Sequence, residues 1–246
     1  MSETELAEAR TPALRVPPAA LALVAPDVGM ERVARGGRVR GPLLVAIACA
    51  LLSAGAGILR VDAKDATLQA MDKEGQLQTS SDRQVEDNTR AAERVYAVKR
   101  VAGALAGPPF QLGLLCVGIF GLAWFFRGRA EGRAVPPVAA AALLPGAIAD
   151  LLDAGATIQH AAIAPAGPAG LPRTIGDFWL ALGHQAGHPS VMKLLAVFDI
   201  FSFWTALLVA FGLTAAGHVP QRRALAGTLV AWLCVRLLTQ VAAGGH

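Results

Sequence analysis

Charge is scarce in this chain. Asp, Glu, Lys and Arg make up 16% of its 246 residues, where a soluble domain carries about a quarter. Hydrophobic residues make up 54% and the mean hydropathy is +0.48. The charge deficit falls in discrete apolar blocks, which excludes two ordinary soluble domains and predicts one membrane domain. Cysteine is scarce too. Cys49, Cys116 and Cys234 sit in three different apolar blocks with no CxxC spacing, which argues against a disulfide framework or a cysteine zinc site and for small packing residues. There is no GxSxG, HExxH, phosphate loop or dinucleotide fingerprint, and no apolar/polar alternation of barrel strands. The first apolar block begins only near Leu43, far later than a cleaved signal peptide would start. A retained first span is therefore expected, although Ala54-Gly55-Ala56 has the look of a cleavage site. The net charge of +4 does not indicate nucleic acid, because the arginines flank apolar segments instead of forming one basic face.

What is present is a set of five apolar segments, at about 43–59, 110–126, 134–153, 200–217 and 224–241. A hydrocarbon core of about 30 Å needs roughly 20 helical residues, with about 17 at the short end. In lipid, only a helix or a closed barrel satisfies its own backbone groups. The predicted fold is an all-α polytopic membrane bundle of five transmembrane helices over residues 41–241. Arg32, Arg35, Arg38 and Arg40 precede the first segment. Arg127, Arg129 and Arg133 lie between the second and third, and Arg222 and Arg223 between the fourth and fifth. Basic residues in short loops stay in the cytoplasm, so the pattern predicts N-in and C-out. Residues 154–190 carry only Arg173 and Asp177 as formal charges, which suits an outer loop.

Outside the spans, residues 1–40 read as a cytoplasmic, mostly disordered leader. Ser2 with Glu5 could cap a short helix, Pro12, Pro17, Pro18 and Pro26 interrupt it, and Ala19–Val33 could touch a membrane surface. Residues 61–106 read as an extracytoplasmic helical hairpin with arms at about 61–76 and 82–105. Ser80 or Ser81 opens the second arm, Glu86 and Arg90 pair at i, i+4, and Gly107-Pro108-Pro109 closes it. Short elements at about 174–182 and 189–198 carry Phe178, Trp179 and Lys193, which suit a membrane interface.

Four charged residues invite a chemical reading. Asp199 stands where a helix N-cap belongs, ahead of the fourth segment. Arg236 lies inside the fifth. Asp150 and Asp153 close the third. With the predicted orientation, all four fall at one depth in the outer leaflet, and a charge within a span is costly unless paired or facing a cavity. The expectation is a structural clamp of Arg236 with Asp150 or Asp199. The competing readings are snorkelling of Arg236 to the headgroups and a proton or substrate pathway. His184 and His188 have a zinc-compatible i, i+4 spacing, but Gly183, Gly187 and Pro189 oppose a rigid helix there and no third ligand is suitably spaced. His160, His218 and His246 are isolated. No metal or cofactor is expected. Ser53, Gly55 and Gly57 on the first span, and Gly113, Gly118 and Gly121 on the second, are expected to permit close helix contact.

The stretch FDIFSFWTALLVAFGL (198–213), followed by QRRALAGTLVAWLCVRLL (221–238), resembles the bacterial branch of the Ypt-interacting-protein (Yip) family. The shared features are an acid-led "-FS-W" start to the fourth span, a short basic turn and a late arginine in the fifth. The resemblance covers about residues 43–240. It implies five spans, N-in and C-out, in a bacterial inner membrane. Some bacterial relatives accompany ABC exporters as accessory subunits, and the family has no established catalytic residues to transfer. The expected function is thus a non-enzymatic accessory or regulatory membrane protein. Its partners would be the lipid bilayer and another membrane protein or a second copy. The alternative is a small permease or channel using the Arg/Asp cluster.

Overall fold

The computed structural model describes residues 16–60, 67–68, 71–72, 75, 80–159, 173–182 and 189–243. Ten helices run through them: α1 Pro18–Val24, α2 Pro26–Gly36, α3 Arg40–Arg60, α4 Asp82–Phe125, α5 Val135–Ala141, α6 Leu144–Gln159, α7 Ile175–Ala181, α8 Pro189–Val197, α9 Ile200–Gly217 and α10 Gln221–Ala243. Four stretches are long and apolar enough to cross a membrane: α3, α4, Val135–Gln159 (α5 continued by α6) and α9. The Val135–Gln159 stretch is the centre of the bundle, with 67% of its apolar window buried against 11% for α4. It is alanine-rich, and Ala139–Ala142 are wholly enclosed, so neighbouring helices can approach closely where no large side chain holds them apart. α3 packs along α6 and α4, and α9 packs along α10.

One end of the bundle is basic. The turn after α4 and the turn after α9 interlock there: Arg129 N–H donates to Gly217 C=O and Glu131 N–H to Ala216 C=O, both at 3.0 Å. Gly128 must be glycine, since a Cβ would strike the Gly217 carbonyl and Val219. His218 closes α9 with a left-handed φ of 51°, the usual conformation just past a helix end. Its ring lies 3.0 Å from the Glu131 carboxylate.

Residues 18–36 are not disordered. They form α1 and α2, which cover the basic end by packing on α5 and α9. Ala22, Met30 and Val33 are buried in the main core with Val138, Leu208 and Leu213. The expectation failed because Pro18 and Pro26 start helices instead of interrupting them. At the first helical position a missing N–H costs nothing and the ring presets φ. Met30 and Val33, three apart, then face the bundle together. Residues 1–15 lie outside the described residues.

The outer hairpin differs as well. Its first arm, 61–76, lies largely outside the described residues. The second arm begins as expected, with Ser81 and Gln84 forming a reciprocal cap and Glu86 pairing with Arg90 at 2.6 Å. It does not end at Gly107-Pro108-Pro109. The helix runs through both prolines to Phe125, 44 residues in all. A proline clashes with the preceding residue's N–H and Cβ. Gly107 has no Cβ and Pro108 has no N–H, so each clash is halved, and lipid offers the chain no better non-helical state.

Of the glycines expected in close contact, Gly57 meets Tyr96 and Arg100 of α4, but the tightest contacts are elsewhere. A Cβ at Gly55, Gly113, Gly118 or Gly121 would meet open space, whereas one at Gly212 would strike Val138 and one at Gly227 would strike the Phe126 ring. Gly212→Ala should therefore destabilise the detergent-solubilised protein by about 1–3 kcal/mol through overpacking. Gly118→Ala should leave it unchanged or slightly stabilised through helix propensity. Thermal denaturation of the two variants checks this, and equal effects would contradict the assigned packing.

Candidate functional site

The four charged residues singled out in the sequence gather at the end of the bundle opposite the arginine clusters, together with a fifth, Arg173. The segment holding Arg173 is built locally. Thr174 and Asp177 form a reciprocal cap on α7, and the Asp177 carboxylate also accepts the N–H groups of Arg173 and Thr174 at 3.2 and 2.9 Å. The backbone here then lies antiparallel to Phe198–Asp199: Ile175 N–H donates to Phe198 C=O at 3.1 Å, and Ile200 N–H to Arg173 C=O at 3.2 Å. So fixed, the Arg173 guanidinium reaches α6, where it donates to Asp153 and stands 3.5 Å from Asp150. Asp150 and Asp153 are three apart on the helix and therefore share a face.

Arg236 does something different. α8 ends at Val197, and α9 begins at Ile200 after a two-residue corner. Asp199 is the N-cap of α9, its carboxylate accepting Phe201 N–H at 3.0 Å. Arg236, reaching across from α10, donates to the last carbonyls of α8: Nε to Val197 O at 3.0 Å and Nη2 to Ala196 O at 3.3 Å. Its Nη2 is 3.9 Å from the Asp199 carboxylate. A cation thus meets the negative end of one helix dipole, and an anion the positive end of the next. One turn further in, Trp232 donates to Ser202 Oγ at 3.2 Å and packs between Phe198 and Phe203, with ring centroids 5.9 and 5.6 Å away.

The expected clamp is therefore divided. Arg236 and Asp199 come together, but the pairing of Arg236 with Asp150 does not form, because Arg173 occupies Asp150 and Asp153. Sequence reading took Arg173 only as a loop charge. The signal that could have found it is the Thr174-x-x-Asp177 capping pattern directly after it, which fixes the backbone of a lone cation in a loop otherwise almost free of charge. Trp232 was missed for want of any signal besides its i, i+4 spacing to Arg236. All nine topology arginines, Arg32, Arg35, Arg38, Arg40, Arg127, Arg129, Arg133, Arg222 and Arg223, are exposed at the basic end. Among the described residues no group of three or more His, Cys, Asp or Glu could hold a metal. His184 and His188 lie outside the described residues. The arrangement fastens four helices, α6, α8, α9 and α10, and a loop to one another, and it leaves an open cleft between α4 and α10.

No protein-family model matches the chain, and comparisons with curated proteins and with solved structures return no match.

Arg236→Met should destabilise the protein by about 2–4 kcal/mol, since two charge-assisted hydrogen bonds are lost and both carbonyls are left unpaired. Arg236→Lys should recover only part, because an ammonium keeps the charge but lacks the fork. Thermal denaturation in mild detergent measures both, and a wild-type midpoint for Arg236→Met would contradict the assignment. Asp177 supplies a pH dependence. Burial opposes its charge, but the backbone N–H and hydroxyl of Thr174 and the N–H of Arg173 hold its pKa below the ordinary value. A carboxyl whose pKa is lower folded than unfolded stabilises above the ordinary carboxylate range, about pH 4, and that contribution disappears as pH falls through the folded value. Protection factors of the amides across residues 173–182, corrected for the intrinsic exchange rate, should fall below about pH 4, and Asp177→Asn should show the lowered protection already at neutral pH.

Proposed function

We propose that this chain is a non-enzymatic integral protein of the bacterial inner membrane, an accessory or regulatory subunit of a larger membrane complex such as an ABC-type exporter. On this reading α10 is the fifth span. Its 23 residues extend about 34 Å at about 1.5 Å per residue, enough for a core of about 30 Å. The basic end lies in the cytoplasm with the N-terminus, and the end bearing Arg173, Asp199 and Arg236 lies outside with the C-terminus. The resemblance of 198–213 and 221–238 to bacterial Yip proteins points the same way.

The observation that carries the reading is the division of labour at the outer end. The charges there bind the protein to itself, whereas the first half of α4 carries exposed apolar side chains. Gly57, near the end of α3, lies beside Tyr96 and Arg100 of α4. The helix continues outward from that level for about 20 Å to Asp82, at about 1.5 Å per residue. Val95 and Val98 on this stretch are 50% and 67% exposed. Exposed apolar side chains on one helix suit a protein partner. A photo-crosslinking side chain at Val98, followed by purification in mild detergent, should join the chain stoichiometrically to a membrane subunit of an exporter. A chain that crosslinks to nothing, while integrated normally, would overturn the proposal.

The cleft between α4 and α10 favours a second reading, a small permease. Flux through liposomes holding the purified chain alone, abolished by Arg236→Gln, would support it over the first.

A further inference from the structure

The cleft itself has the chemistry of a binding site. It is a cavity of about 510 Å³, within the range of about 300–1,000 Å³ usual for ligand pockets. Its floor is α6 and α9 and its walls are α4 and α10. The lining is apolar, with Leu114, Ile119, Val209 and Val235 in it. Leu114 and Val235 are 55% and 58% exposed, so the cleft opens sideways, towards the acyl chains, if these helices span a membrane. Along α10 it runs from Thr228 to Arg236 and along α4 from Gln111 to Leu122. At about 1.5 Å per residue those lengths are about 12 and 17 Å, matching one leaflet, half of a hydrocarbon core of about 30 Å.

The charged groups sit at one end. Three charged residues line the cavity, Arg173, Asp199 and Arg236, and of the two arginines Arg173 is already paired with Asp150 and Asp153. Asp150 and Asp153 stand behind Arg173 and are not part of the lining. A guanidinium has five N–H bonds. Arg236 uses two on Val197 and Ala196, and Asp199 is too far at 3.9 Å to take a third. Its remaining N–H groups have no protein acceptor among the described residues, although the side chain is only 26% exposed. Deeper in, the Thr228 hydroxyl is buried without a hydrogen-bond partner among the described residues.

We infer that this cleft holds one phospholipid of the outer leaflet, with an acyl chain lying between α4 and α10 and the phosphate on Arg236 and Arg173. The guanidinium N–H groups of Arg236 that no protein acceptor among the described residues takes up supply the geometry in which arginine binds a phosphate oxygen. The inference rests on the membrane reading above, and its test separates the two.

Gly118 and Gly146 line the cleft, and a Cβ at either meets open space, so Gly118→Leu/Gly146→Leu fills it without touching the clamp. The full chain is purified from vesicles of phosphatidylglycerol and phosphatidylcholine, delipidated with mild detergent and weighed by native mass spectrometry. Carbonate extraction of the same membranes reports integration independently. The expected result is one phosphatidylglycerol retained per wild-type chain, with occupancy reduced at least tenfold in the double-leucine variant. Arg173→Gln should weaken retention while leaving integration intact. Equal retention by the double-leucine variant, no retained lipid in an integrated wild type, or displacement of the lipid by free palmitate at equal concentration would each overturn the inference. Loss of integration itself would overturn the membrane reading.

Discussion

The half of this protein opposite the arginine clusters depends on what happens at the corner between α8 and α9. Two helices meet end to end across Phe198 and Asp199, so unpaired carbonyls and unpaired N–H groups face a region with little water to satisfy them. Asp199 takes an N–H of the second helix. Arg236 takes two carbonyls of the first. Each charge would be costly alone within an apolar bundle. Together they satisfy one another's helix dipoles as well as the backbone, so neither is left as an unpaired charge. This explains why an arginine is tolerated inside an apolar helix and why it need not perform chemistry to be there.

The rest of that end follows from the corner. Fixing Phe198–Asp199 provides the edge on which Arg173–Thr174 lies, through the bonds of Ile175 and Ile200. That bridge points the Arg173 guanidinium at Asp150 and Asp153 and fastens the loop to α6. Seating Trp232 between Phe198 and Phe203 holds α10 against α9. α10 therefore leans on α9 and away from α4, which opens the cleft lined by both arginines. At the basic end no such device is needed. There the turns interlock by backbone hydrogen bonds, α1 and α2 cover the core, and the arginines face outward.

The parts of this architecture legible in the sequence are those imposed by a solvent. Apolar runs at 43–59 and 200–217 could be read because lipid demands continuous hydrophobicity, and Asp199 and Ser81 because a helix start demands a cap. What could not be read depends on contacts between distant residues. Arg173 reaches Asp153 across 20 residues with no periodicity to follow. The prolines at 18 and 26 look the same whether they begin a helix or break one, and only the burial of Met30 and Val33 decides between these. Pro108 and Pro109 carry a breaking signal that Gly107 relieves locally. Glycine spacing failed for the same reason: nothing in the spacing of Gly113, Gly118 and Gly121 says that they meet open space, whereas Gly212 gives no pattern at all and stands directly against Val138.

The most direct test of the corner is amide hydrogen exchange in detergent, residue by residue, comparing wild type with Arg236→Met. Removal of one side chain on α10 should speed exchange at Phe201 and Ile200, at Ile175 across the bridge, and through the last turn of α8. The core amides of α5 and of the basic-end turn, Arg129 and Glu131, should keep their protection. Unchanged exchange at Ile175, Ile200 and Phe201, or an even loss of protection over the whole chain, would show that Arg236 does not hold this corner.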